Sequence, residues 1–224
     1  MTASRTWSGI WAASGALSAA FFVAGLVFAN IVTPVFPAPD ASLERINAYF
    51  SDHRAAALGL SVCHSLSALA LLAFAAYLFG VLGRAERNEQ RLATLALGGG
   101  LLGAAFLLLS ALLYWTLTRA EVAADSGAAH AVLVLSYLAG GQAPALSFAA
   151  LVGPASLLIV STGVLPRWIG RLGLLAAALD LASIVSLVWH PALYLLLEPA
   201  GGLSFLWLFA TSIALVRNAP AERR

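Results

Sequence analysis

The stretch LGLLAAALDLASIVSLV, Leu172 to Val188, is apolar or small almost throughout and carries a single charge, Asp180, near its centre. A helical crossing of the hydrocarbon core takes about 20 predominantly apolar residues. The run therefore predicts a membrane-spanning helix up to Trp189, with an acid placed where water is scarce. A charged group at mid-bilayer costs about 2.5 to 3.5 kcal/mol on insertion scales, so it normally faces a partner or a cavity. Nothing adjacent in sequence neutralises Asp180, which makes it the first candidate functional residue.

The rest of the 224-residue chain has the same character. It is 61% hydrophobic and 10% charged, with a mean hydropathy of +0.91. A soluble domain carries about 25% charged residues, and so few cannot cover this chain with polar surface. The fold class expected is all-α: one integral-membrane helical domain over residues 1–224, with no soluble domain. Besides Leu172 to Trp189, five stretches meet the length requirement: Trp7 to Thr33, Ala55 to Leu82, Leu92 to Leu117, Ala145 to Leu165 and Leu203 to Val216. The first follows one positive charge, Arg5, and lacks a small-residue cleavage site, so it is expected to stay as an anchor.

All 12 basic residues are arginine. Arg5, Arg84, Arg87, Arg91, Arg167, Arg171, Arg217, Arg223 and Arg224 fall on one side of the six spans, and only Arg45, Arg54 and Arg119 on the other. The positive-inside rule predicts both termini in the cytoplasm. The pI near 9.0 is a product of this topology and implies no nucleic-acid partner. The partners implied are the lipid bilayer and a lipophilic small molecule. Arginine without lysine, with heavy Ala, Leu and Gly use, is associated with high-GC bacterial genomes, and the expected location is a bacterial cell membrane. The lone cysteine, Cys63, excludes an intramolecular disulfide.

Two irregularities stand out. In the first far loop, Pro34, Pro37 and Pro39 block a helix until about Ala41. Beyond them Asp40 or Ser42 can cap a short helix with Leu43, Ile46 and Phe50 on one face. That helix is expected at the interface, with Tyr49 and Phe50 at headgroup level. The fourth span is preceded by an apolar segment, Ala129 to Ala139, and interrupted by Gly140-Gly141-Gln142-Ala143-Pro144. A break there is tolerated only where protein or water covers the backbone, so it should border a cavity or the interface. Gly153-Pro154 is expected to kink the same helix. Gly98, Gly99, Gly100 and Gly103 make the third span smooth for close packing, and the run Arg84 to Arg91 reads as a solvated turn.

Ser61, His64 and Ser67 share one face of the second span, as Asp180, Ser183 and Ser186 do in the fifth. At 1.5 Å per residue, His64 lies about 14 Å from Ala55 and Asp180 about 15 Å from His190, nearly one level. If these spans face each other, the two groups can pair, as an ion pair or a neutral couple. Asn30, Tyr114, Tyr137 and Gln142 could reach the same space, with His130, Glu121 and His190 nearer the rim. His53, His130 and His190 lack ligand-type partners one helical turn away, so neither a zinc site nor any other cofactor is expected. Trp7, Trp115, Trp168 and Trp189 sit at span ends as interfacial anchors.

The segment Leu165-Pro-Arg-Trp-Ile-Gly-Arg-Leu-Gly173 and the loop Ala48-Tyr-Phe-Ser-Asp-His-Arg54 resemble those of a bacterial multi-pass membrane family defined only as a domain of unknown function, which carries no assigned chemistry. In size and polar layout the chain is also similar to small integral-membrane terpene cyclases, whose intramembrane carboxyl groups protonate an epoxide or alkene. That second resemblance implies acid-initiated cyclisation or isomerisation of a terpenoid or polyene natural product, with Asp180 as the only deep carboxyl available. Asp180 would donate the proton and His64 orient or reprotonate it. Tyr114, Trp115 and Phe148 would stabilise a carbocation through their ring faces. Two other functions fit the same residues: a proton-coupled carrier of two inverted three-helix halves, with His64 and Asp180 on the middle helices, or an accessory membrane protein whose polar groups serve packing.

Overall fold

The computed structural model describes residues 2–30, 37–38, 41–86, 90–123, 125–189 and 198–218; for 2–8, 123, 126, 198–199 and 218 it describes the backbone alone. Nine α-helices occur among them, with no strand: α1 (Thr2–Asn30), α2 (Leu43–Asp52), α3 (Arg54–Glu86), α4 (Arg91–Leu117), α5 (Ala120–Ala123), α6 (Ser126–Gly140), α7 (Gln142–Thr162), α8 (Arg167–Ala182) and α9 (Glu198–Asn218). Six helical segments are long and apolar enough to cross a membrane. They correspond to the six runs legible in the sequence, with α6 preceding α7 within the fourth.

Neighbouring spans pack in a closed ring, α1–α3–α4–α7–α8–α9 and back to α1. Each adjacent pair is antiparallel. The Ser18 hydroxyl meets that of Ser67 at 3.1 Å between α1 and α3, and the Ser212 hydroxyl of α9 donates to the Ala12 carbonyl of α1 while accepting from the Ala16 amide at 3.0 Å. The N-terminal part of α1 and the C-terminal part of α9 therefore share one end of the bundle, called below the termini end, and α2, α5 and α6 lie at the far end. Within its apolar window the fourth span is 67% buried, against 39–44% for the others, because α7 also touches α3 and α9 across the ring. Outward faces carry Val62, Leu69, Leu102, Leu112, Leu157 and Leu175, each about half exposed. Such a contiguous apolar belt is unfavourable in water and is what hydrocarbon solvates.

Glycine decides the closest contacts. A Cβ on Gly99 would collide with the backbone of Ala150 and Leu151 in α7, and one on Gly100 with Ala75 in α3. Neither helix could approach α4 this closely past a side chain. The fourth-span break lies at Gly141 (φ −113, ψ −87), between α6 and α7. Pro144 follows in the first turn of α7, where a missing N–H costs no helical hydrogen bond. The same helix runs unbroken past Pro154 to Gly163, which ends it at φ +68, a conformation that glycine adopts without strain.

Two expectations need correction. Ser42 caps α2, its hydroxyl accepting from the Arg45 amide at 3.3 Å, but Tyr49 and Phe50 turn inward and are buried instead of meeting headgroups. Tyr49 donates to the Ala29 carbonyl at 3.0 Å, satisfying a backbone oxygen in the last turn of α1. The fifth span is not α-helical throughout, since Ser183–Leu187 tightens into a 3₁₀ turn. There the Ser183 and Ser186 hydroxyls donate to carbonyls three residues back, Asp180 and Ser183, at 2.6 Å. Side chains three apart stay in line in a 3₁₀ turn, which keeps both serines inside the bundle. Pro34, Pro39, Asp40 and His190 lie outside the described residues.

Candidate functional site

A cavity of about 1070 Å³ opens in the far half of the bundle, bounded by α1, α3, α4, the α6–α7 break and α9. It is at or above the top of the roughly 300–1,000 Å³ range of small-molecule pockets. The space exists because the facing positions are small: Ala19, Ala20 and Ala24 on α1, Gly201 and Gly202 on α9, and Gly140-Gly141 at the break. Its walls are mainly hydrocarbon and aromatic ring, with His64 the only ionisable side chain among the described residues besides the tyrosines.

His64 reaches this wall from the first third of α3. Its ring lies parallel to Phe22 (centroids 4.8 Å apart, planes 7° apart), and Phe22 stacks in turn on Phe205 of α9 at 3.9 Å. Phe148 meets Phe205 edge-on at 5.1 Å, and the Tyr114 ring lies 6.1 Å from the imidazole. Gly25 lets α1 close over the imidazole, because a Cβ there would come within 2.9 Å of Cδ2 and 3.2 Å of Nε2. Stacking occupies the face of the ring and leaves both nitrogens on its edge. Neither has a hydrogen-bond partner, although His64 is 3% exposed. The serines on the same face of α3 are engaged elsewhere: Ser61 donates to the Ala57 carbonyl at 3.0 Å and Ser67 to the Ser18 carbonyl at 2.9 Å. A buried polar group without a partner costs about 1–3 kcal/mol. A ligand that bonds the ring edge recovers that cost.

Asp180 is fully buried and lies outside the cavity wall. Its Oδ2 accepts from the Ser204 hydroxyl of α9 at 2.6 Å, and its Oδ1 has no partner. The second and fifth spans, α3 and α8, occupy opposite positions in the ring and share no packing interface. No hydrogen bond or ion pair joins Asp180 to His64. Gln142 also lies outside the cavity wall, where its amide donates to Ser186 at 3.0 Å and ties α7 to the end of the fifth span. Trp115 is 47% exposed on the outer surface, with the Arg119 guanidinium 5.4 Å over its ring. Arg119 in turn lies 3.8 Å from Glu121.

Of the residues singled out in the sequence, the cavity gathers His64, Tyr114, Tyr137, Phe148 and Asn30. Tyr137 donates to the Pro37 carbonyl at 2.9 Å, and Asn30 to the Leu26 carbonyl at 3.1 Å. Sequence reasoning missed Phe22, Phe205 and Gly25, since aromatic and glycine residues are ordinary in apolar spans and only the fold brings them to one imidazole. It also missed Ser204, for which a signal existed: Ser204, Trp207 and Thr211 recur on one face of α9. No cluster of potential metal ligands occurs among the described residues. Comparison with known proteins matches no family model, no curated protein and no solved structure.

Proposed function

We propose that this chain is a multi-pass membrane enzyme that takes a lipophilic polyene or isoprenoid into the far-half cavity and moves a proton on it through His64. The carrying observation is His64, which lines a large apolar cavity and whose two ring nitrogens are buried without a partner. A double-bond shift needs one acid–base group. The imidazolium gives its proton to one alkene carbon, leaving positive charge on the other, and the neutral imidazole then takes a proton from the allylic carbon beside that charge, so that the π bond re-forms one position along and the imidazolium is restored. Atoms and electrons balance without a co-reactant. Positive charge developing on the substrate would face Phe22, Phe148, Phe205 and Tyr114, whose π faces favour cations. Asp180 is then a positioning acid for α8 against α9 instead of the proton donor. The arginine distribution supports placing both termini in the cytoplasm and the cavity in the outer leaflet of a bacterial membrane.

The test is incorporation of deuterium from D₂O into isoprenoid alcohols added to the reconstituted protein, followed by mass spectrometry. Acid–base groups contribute typically 10²- to 10⁴-fold, so His64→Ala should lower incorporation by at least about 100-fold while Asp180→Asn retains it. Equal rates in wild type and His64→Ala remove His64 from the chemistry. A carrier is the second reading, favoured by the non-helical Gly141 on the cavity wall, since carriers build midplane sites from discontinuous helices. Proton-dependent flux in proteoliposomes, without deuterium incorporation, would select it.

A further inference from the structure

Among the described residues the wall of the cavity is not closed toward the outer surface. Several residues line it while also being open to the outside: Val23 (54% exposed) and Leu26 (41%) on α1, Leu206 (51%) and Phe209 (44%) on α9. A residue that belongs both to a cavity and to the outer surface marks a rim, and all four lie on two helices adjacent in the ring. α1 and α9 are pinned together toward the termini end by the Ser212 bonds to Ala12 and Ala16, and at mid-height by the Phe22–Phe205 stack. Beyond that stack, a Cβ built on Gly201 or Gly202 meets nothing within 4 Å among the described residues. Among the described residues the two helices thus hold toward the termini end and leave a gap beyond the stack, with Val23, Leu26, Gly201 and Gly202 along its sides and Leu206 and Phe209 at its inner edge.

Depth gives the gap its meaning. Counting 1.5 Å per residue, Leu26 lies about 6 Å and Val23 about 10 Å below the last residue of α1. Leu206 lies about 12 Å and Phe209 about 16 Å below the first residue of α9. A window at those depths opens into acyl chains, below the headgroups of a hydrocarbon core about 30 Å thick. We infer that the gap between α1 and α9 is a lateral portal through which a membrane-dissolved amphiphile, one long apolar chain bearing a single hydroxyl or carbonyl head, passes from the bilayer to the edge of His64. The inference rests on the ligand-binding reading above and adds its substrate class and route: a lipid-phase molecule instead of an aqueous solute. The unpartnered ring edge provides for one hydrogen-bonding head. The apolar rim provides for the chain that trails through it, so a chain longer than the cavity is accommodated.

The experiment uses the full-length protein in phosphatidylcholine nanodiscs with a diazirine-bearing C15 isoprenoid alcohol added to the bilayer, photolysed at increasing times and mapped by mass spectrometry. Wild type should acquire adducts on the wall around Phe22, Tyr114 and Phe148 as well as on the rim. Leu206→Trp enlarges a rim side chain that needs no space in the core, and Gly202→Trp fills the gap itself. Each should slow labelling of the inner wall at least tenfold while leaving rim labelling in place. Inner-wall labelling of both variants at the wild-type rate overturns the portal and leaves the cavity reading standing. Absence of inner-wall adducts in wild type overturns the cavity reading itself. Should Gly202→Trp fail to fold, Leu206→Trp alone decides the matter.

Discussion

Gly98 and Gly99 are chain neighbours on α4 whose replacement by alanine should move stability in opposite directions. A Cβ on Gly98 meets nothing within 4 Å. Gly98→Ala then keeps only the backbone benefit of alanine over glycine in a helix, about 0.8–1 kcal/mol. A Cβ on Gly99 would overlap the backbone of Ala150 and Leu151 and stand 2.7 Å from the Ser147 carbonyl oxygen. These are main-chain atoms of α7, so no rotamer change relieves the clash and the two helices must separate. Overpacking typically costs about 1–3 kcal/mol. Taking about 3 for an obstacle that cannot rotate away, and subtracting the alanine gain of about 1, leaves Gly99→Ala about 2 kcal/mol less stable than wild type. The two variants should thus differ by about 3 kcal/mol, a little over a hundredfold in the folded-to-unfolded ratio. Reversible SDS unfolding in mixed micelles, followed by far-ultraviolet circular dichroism, measures both. Equal midpoints for the two variants would refute the backbone contact between α4 and α7, and with it the ring order that places α7 beside α4.

Two further outcomes follow from the buried polar contacts. A double-mutant cycle on Asp180→Ala and Ser204→Ala should return a coupling of about 0.6–1.7 kcal/mol, the range of interhelical hydrogen bonds measured in membranes; additivity within about 0.3–0.5 kcal/mol would mean that the carboxyl rests on some other group. Tyr49→Phe should cost about 0.5–1.5 kcal/mol by unmaking the bond to the Ala29 carbonyl, read as a lowered thermal midpoint in detergent; an unchanged midpoint would return Tyr49 to the membrane surface.

The spans were legible because bilayer thickness sets a length that composition alone can meet. The break at Gly141 was legible for a related reason, since Gly-Gly-Gln-Ala-Pro offers neither propensity nor a donor at Pro144. Which spans touch was not legible. His64 and Asp180 sit at similar depth, yet equal depth says nothing about azimuth around a ring of six, and the ring puts α3 and α8 on opposite sides. The inward turn of Tyr49 and Phe50 escaped for a different reason. Aromatic residues near a span end favour the interface on average, but the carbonyl of Ala29 offers a specific partner that an average cannot include.

Rarity drew attention to Asp180, the most expensive side chain to bury, whereas the structure directs it to a cavity-lining group with no offsetting hydrogen bond. The Asp180 carboxyl has Ser204, and the bond also holds α8 to α9, so a packing role accounts for it. His64 is held by rings and by Gly25, with its bonding edge left without a protein partner. A fold that only needed to fill this volume could do so with leucine and avoid about 1–3 kcal/mol of desolvation. Keeping an imidazole there, stacked and unbonded beside a space large enough for a lipophile, is intelligible when the missing partner is a ligand. Ser61 and Ser67, one turn away on either side, sharpen the point. Hydroxyls were within the same helical face, and both are committed to backbone carbonyls instead of to the ring.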